Sequence, residues 1–123
     1  MSSASGKQGS ARFAAYCASK FAVIGFTQAL AHELAPHRIT VNAICPALVD
    51  TERVDCFADS QAPQNVSATE FRAQHVRQTS AATPLGRIAQ PSDVANMAAF
   101  LASPDSDFLT GLAISVSGGA VMS

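Results

Sequence analysis

The spacing of hydrophobic and polar positions changes several times along the chain, and each change marks an element. The first dozen residues are rich in Ser and Gly and read as a loop. From Phe13 to Ala35 there is no proline, and apolar residues recur at Ala14, Cys17, Ala18, Phe21, Ala22, Ile24, Phe26, Leu30 and Leu34. This spacing predicts a long helix stopped by Pro36, which cannot continue a helix interior. Its apolar residues cover most of the circumference, so burial on more than one side is expected. The run Arg38-Ile39-Thr40-Val41-Asn42-Ala43-Ile44 then alternates with β-branched residues, predicting a strand that stops at Cys45-Pro46. Residues 47–83 are polar and weakly periodic, suggesting short helices within a long excursion, one of them around Thr69 to Thr79. Pro91 at a first helical position, with Ser92 and Asp93 in the first turn, opens a helix through Ala102 that Pro104-Asp105 ends. Leu112 to Val116 predicts a second strand, closed by Ser117-Gly118-Gly119.

The order is helix, strand, helices, strand, with no hairpin signal between the strands. Helical crossovers join parallel strands, so the fold class is α/β with a parallel sheet. Two strands are few, because sheets usually hold about five or six and parallel ones are covered on both faces. A long helix that is apolar all round has nothing in these 123 residues to bury both its sides. The expected architecture is therefore the second part of a larger doubly wound sheet.

Composition narrows the function classes. The chain is 48% hydrophobic and 14% charged, with a formal net charge of −1. Such a balance excludes a disordered chain and shows no basic stripe for nucleic acid or an anionic membrane surface. No apolar run approaches the roughly 20 residues that span a bilayer, and the polar opening Met1 to Lys7 is unlike a secretory signal. Cys17, Cys45 and Cys56 are odd in number and lack Cys-x-x-Cys spacing, so neither a disulfide framework nor a zinc cage is expected. A reducing cytoplasm is the expected location.

The candidate chemistry lies at the front. Tyr16 and Lys20 are four apart on the predicted helix and so share a face. A free tyrosine is a poor base at neutral pH, but a neighbouring ammonium favours its phenolate, and the pair could then shuttle a proton to or from a substrate oxygen. Ser3 stands thirteen residues before Tyr16, in a loop expected to lie at the same rim, where its hydroxyl could donate to a substrate carbonyl. The strand before residue 45 climbs to that rim, so residues 45–51 are expected beside Tyr16 and Lys20, where open α/β sheets hold their ligands.

Several pieces in register resemble the short-chain dehydrogenase/reductase family. Ser2-Ser3-Ala4-Ser5-Gly6 looks like its catalytic-serine loop, and Tyr16-Cys17-Ala18-Ser19-Lys20 matches its Tyr-x-x-Ser-Lys signature at the usual distance. Ile39 to Pro46 resembles the strand that ends in a Pro-Gly turn. Pro84-Leu85-Gly86-Arg87, Pro91-Ser92-Asp93-Val94 and Phe100-Leu101-Ala102-Ser103 resemble its late helix, and Thr110-Gly111 through Gly118-Gly119 its last strand. The match covers essentially the whole chain but only about the C-terminal half of the family's Rossmann-like domain. The resemblance implies hydride transfer between NAD or NADP and an alcohol or carbonyl substrate. Tyr16 would be the acid/base. Lys20 would assist it and hold the nicotinamide ribose, and Ser3 would orient the substrate oxygen. The turn at Pro46 and Ala47, with Val49 and Thr51, would bind the cofactor. The stretch from Asp50 to Thr83 would be the substrate-binding region, and a homo-oligomer is implied for the full domain.

Two departures qualify the match. Ala47 stands where the family usually has glycine, and the family's Gly-rich phosphate loop has no counterpart in residues 1–123. The alternative to an oxidoreductase is therefore an inert truncated or split-gene chain that at most complements a missing N-terminal half. Other motifs yield less. His32-Glu33 and His37 have the wrong spacing for a zinc helix, and His75 reads as a solvated histidine. Cys17 reads as buried and structural, Cys56 as an exposed thiol, Asp105-Ser106-Asp107 as a turn, and Phe21, Phe26 and Phe100 as packing residues.

Overall fold

The computed structural model describes residues 1–122. A 3-10 turn at Ala4–Gly6 leads into α1 (Ala14–Leu34), followed by β1 (Ala43–Pro46), α2 (Glu52–Gln61), α3 (Ala68–Ala82), α4 (Pro91–Leu101) and β2 (Ala113–Val116). The two strands pair in parallel, with Ala43 opposite Ala113 and Pro46 opposite Val116. The α/β order and the parallel pairing are those expected from the sequence.

All four residues of β1 are buried. Successive side chains of a strand point to opposite faces, so β1 is covered on both, with α1 and α4 packed against it. Its edge away from β2 receives the chain's first residues, where the Ser2 N–H donates to the Ile44 carbonyl at 2.8 Å. β2, by contrast, is only half-buried throughout.

The first strand is shorter and later than its β-branched run predicts: it starts at Ala43 rather than Arg38 and includes Cys45 and Pro46. Side chains replace the backbone ladder before it. The Asn42 amide donates to the Leu109 carbonyl at 2.7 Å and accepts from the Leu112 N–H at 3.1 Å, while the Val41 N–H donates to Thr110 Oγ1 at 3.0 Å. Residues 41 and 42 are therefore tied to the approach of β2 without belonging to the sheet.

α1 ends close to its predicted boundary, passing into a 3-10 turn at Ala35–His37 and stopping at Arg38, whose φ of 59° lies in the left-handed region. One stripe of it is covered, with Cys17, Thr27 and Ala31 buried. Its other apolar side faces outward: Phe21 is 46% and Phe26 is 66% exposed. Phe13, Leu85, Phe100 and Phe108 are exposed as well, and the largest fully buried side chain is that of Cys45. Burial of α1 on more than one side is not met within these residues.

The excursion holds two helices where the periodicity was weak. The predicted segment Thr69 to Thr79 falls inside the 15-residue α3, whose start was legible as Ser67-Ala68-Thr69-Glu70: the Ser67 hydroxyl accepts the Glu70 N–H at 3.1 Å. α2 has only a thin apolar face, burying Val54 and Ala58, which explains its weak signal. Among the described residues no helix is long and apolar enough to cross a membrane.

Candidate active site

A cavity of about 620 Å³ opens between the start of α1, the end of β1 with the loop after it, and α2–α3. Ser3, Tyr16, Lys20, Pro46, Ala47, Val49 and Thr51 all line it. Seven residues spread over 49 positions of sequence thus meet at one place, at the carboxyl end of β1.

The serine turn is docked on α1 by backbone. Ser2 Oγ donates to the Lys20 carbonyl at 2.8 Å. Gly6 lies so close to the same carbonyl that a Cβ built on it would sit 2.7 Å from Lys20 O and 2.5 Å from Ser2 Oγ. Only glycine permits that approach. Ser3 caps the 3-10 turn, its Oγ accepting the Ser5 N–H at 3.2 Å. That bond uses a lone pair and leaves the hydroxyl proton available to another acceptor.

Tyr16 sits in the first turn of α1, half-buried. Phe13 packs edge-on to its ring, with centroids 6.5 Å apart. Lys20 Nζ lies 5.5 Å from the ring centroid and Arg53 Cζ lies 5.3 Å from it. The Tyr16 hydroxyl makes no hydrogen bond among the described residues, so it is open to an incoming oxygen. Cys17, beside it, is buried and accepts the Ser10 N–H through sulfur at 3.4 Å, as a structural cysteine would.

The opposite rim is the loop after β1. The Ala47 N–H extends the sheet to the Val116 carbonyl at 3.2 Å. Its φ is not positive, so alanine sits without strain where the family usually has glycine. Leu48 and Asp50 bond to Ala89 on either side of Val49. The Val49 N–H has no hydrogen-bond partner among the described residues, and its carbonyl accepts only a long 3.5 Å contact from Thr51 Oγ1. An unused main-chain donor and an under-used acceptor on one residue suit a primary carboxamide, which offers the converse pair. Residues of this rim could therefore hold a carboxamide-bearing group, and the Lys20 side chain lines the same cavity.

The outer wall was not foreseen in detail. Arg53, Val54 and Phe57 come from α2, His75 from α3, and Ala120 and Val121 from the stretch after β2. His75 stacks on Phe57 at 5.2 Å and lines the cavity instead of standing in solvent, while Phe71 lies 6.2 Å from Phe57. The i, i+4 pair Phe71 and His75 was the available signal for this wall. Arg72 ties it down, donating through Nη2 to Asp50 Oδ1 at 2.6 Å and through Nε to Asp55. Among the described residues no group of three or more His, Cys, Asp and Glu side chains could hold a metal ion.

The family model described as enoyl-(acyl carrier protein) reductase matches residues 1–121. A diacetyl reductase [(S)-acetoin forming] of Staphylococcus aureus is 41% identical over 117 residues, which is 95% of this chain and 44% of that protein. A sorbitol dehydrogenase of Cereibacter sphaeroides is 40% identical, covering 100% of this chain and 47% of its own length. Among solved structures, the ligand-free aldohexose dehydrogenase of Thermoplasma acidophilum superimposes with a TM-score of 0.84 at 33% identity, over 97% of this chain and 45% of that one. An actinorhodin polyketide ketoreductase solved with NADPH gives 0.84 at 40% identity, over 97% and 44%. This chain thus spans just under half the length of the relatives it matches. On its residues, its geometry and these matches, the chain belongs to the short-chain dehydrogenase/reductase family, as the C-terminal-half-like part of that Rossmann-like fold.

Proposed function

We propose that this chain carries the proton-transfer half of an oxidoreductase site that exchanges an alcohol for a carbonyl at the expense of NAD or NADP. One observation carries the reading: Ser3, Tyr16, Lys20, Val49 and Thr51 converge on one cavity. The relatives' names span a dicarbonyl, a polyol, an aldohexose and a polyketide. All are substrates with a hydroxyl or carbonyl at the reacting carbon, so the reaction class is common to them while the substrate differs.

In the reductive direction the substrate carbonyl oxygen accepts hydrogen bonds from the Ser3 and Tyr16 hydroxyls. When bound, the nicotinamide cofactor supplies or accepts the hydride. Tyr16 gives its phenolic proton to the oxygen as negative charge develops there, and in the oxidative direction it takes the proton back. The Lys20 ammonium stabilises the resulting phenolate and would hold the cofactor's ribose hydroxyls. Val49 would hold the carboxamide through its main chain, with the Thr51 hydroxyl to assist it. Pro46 and Ala47 would form the adjoining wall.

The test is consumption of reduced nicotinamide with diketone and ketose substrates, wild type against Tyr16→Phe. Turnover should fall by about a hundredfold to ten-thousandfold, the range for a general acid, with cofactor affinity nearly unchanged. A Tyr16→Phe protein that keeps its rate would overturn the assignment.

A second reading is favoured by the uncovered apolar side of α1 and by the share of each relative that is matched. In it the chain acts only together with the sheet half that carries the family's phosphate loop, whether on the same polypeptide or on another. The intact mass of the native protein bearing the Tyr16 peptide decides how that half is supplied. A value near 12.7 kDa assigns it to a separate chain, and about twice that assigns it to the same one. A chain of the lower mass that binds neither cofactor nor a second half would be inert.

A further inference from the structure

The cavity wall has a charge pattern that proton transfer does not require. Nineteen residues line it, and they include Lys20, Arg53 and His75 but no aspartate or glutamate. This holds in a chain whose formal net charge is −1, so the carboxylates have been kept elsewhere. The acids nearest in sequence to Arg53 are Glu52, exposed and outside the cavity lining, and Asp55, engaged by Arg72. Arg53 forms no ion pair among the described residues; its one interaction is with the face of Tyr16, at 5.3 Å. Attraction between an exposed guanidinium and a ring is weak and leaves the N–H donors unused. Of the other arginines, Arg72 is matched by Asp50 and Asp55 and Arg87 by Asp93, while Arg12, Arg38 and Arg77 form no ion pair among the described residues and lie outside the cavity lining, so Arg53 is the one arginine that brings an unmatched guanidinium to the site.

We propose that Arg53 is a specificity residue whose guanidinium recognises a carboxylate or comparable oxyanion on the substrate, a few ångströms from the carbonyl that Tyr16 protonates. This rests on the oxidoreductase reading of the cavity and names its substrate class: small oxo or hydroxy acids rather than neutral ketones. Arginine is suited to the task because its planar donors match a carboxylate in two parallel bonds, and an uncompensated cation in a cavity gains most from an anion brought there. The same chemistry could serve a phosphate of the cofactor, and the arms below separate the two sources.

The native protein and its Arg53→Gln and Arg53→Lys variants are compared on acetoacetate and on methyl acetoacetate, which differ in charge but share the reacting ketone. For Arg53→Gln, kcat/KM for the acid should drop about tenfold or more, the loss of one charge-assisted pair. The ester should change little, and the KM for reduced nicotinamide should hold. Arg53→Lys should recover part of the loss for the acid. An equal drop for acid and ester makes Arg53 a support of Tyr16, and a rise in cofactor KM with an unchanged acid-to-ester ratio assigns it to the cofactor; either overturns the proposal. A second readout is independent of turnover. Tyr16 is the only tyrosine and there is no tryptophan, so tyrosine emission reports this site alone. Acetoacetate should change that emission saturably, with half-saturation at about tenfold higher concentration in Arg53→Gln than in the wild type, while the ester should titrate alike in the two proteins. Loss of turnover on every carbonyl with this titration intact sinks the oxidoreductase reading and supports the anion site. Turnover with no Arg53-dependent titration does the reverse.

Discussion

The two walls of the cavity are held by different kinds of force. The inner wall, Ser3 against Tyr16 and Lys20, is set by main-chain docking: Ser2 bonds to the Ile44 and Lys20 backbone, and Gly6 touches the Lys20 carbonyl. The outer wall, α2 and α3, is set by an Arg72 clamp on two carboxylates and by a loose aromatic stack. The clamp is about one-third exposed on Arg72 and on Asp50, and one-half on Asp55. Water and salt weaken such pairs, whereas a buried backbone contact has no competitor. The difference assigns rigidity to the groups proposed to move a proton and compliance to the groups proposed to meet the substrate.

The sharpest way to break the inner wall is Gly6→Ala. The added methyl removes chain entropy from the unfolded state, worth about 0.4–1 kcal/mol in favour of folding. It also meets Lys20 O and Ser2 Oγ inside 3 Å, and overpacking of that kind costs about 1–3 kcal/mol. The clash wins, because a backbone carbonyl inside a helix cannot step aside. The variant should melt earlier, and its kcat should fall because Ser3 and Tyr16 no longer share one register. A variant of unchanged melting temperature and kcat would mean that the turn is not held as described.

Breaking the outer wall should read out differently. Arg72→Ala frees α3 from Asp50 and Asp55, so the wall carrying Arg53 and His75 loosens while Ser3, Tyr16 and Lys20 stay in place. KM for the substrate should rise severalfold with kcat much less affected, and the melting temperature should move little, as for other exposed pairs. A fall in kcat equal to that of Gly6→Ala would erase the distinction between the walls.

Legibility in the sequence follows the same division. Tyr16 and Lys20 sit at helical spacing, Pro46 marks the end of β1, and Gly111 and Gly118 flank β2, so local geometry places these features. The strand start was misplaced because Asn42 imitates a ladder with its side-chain amide, which alternation cannot reveal. Arg53 and His75 come from helices whose apolar faces are thin, and their position depends on an ion cluster joining residues 17 and 22 apart. Tertiary contacts between polar side chains leave no period to read. The sequence alone therefore makes His75 look solvated, and its i, i+4 partner Phe71 is the one local sign of the wall.

The smallest effect concerns a second, purely structural arginine clamp, and it gives the comparison a control. Arg87 grips Asp93 with two bonds, Nη1 to Oδ2 at 2.6 Å and Nη2 to Oδ1 at 3.0 Å, and Asp93 Oδ2 also accepts the Gln90 N–H at 2.7 Å at the start of α4. The Arg87 bond first, then the Gln90 N–H, lowers the Asp93 carboxyl from its ordinary value to about 2. A carboxyl depressed in the folded state stabilises it fully above the unfolded value near 4, and that contribution fades as pH falls towards 2. Acid titration of the wild type should therefore include a small loss of stability between pH 4 and 2 that Asp93→Asn lacks. Asp93 lies outside the cavity described above, so this variant should leave the acid-to-ester preference of the site unchanged. Acid sensitivity identical in the two proteins would show that the α4 clamp adds nothing, and that exposed arginine clamps in this fold, Arg72 included, position without stabilising.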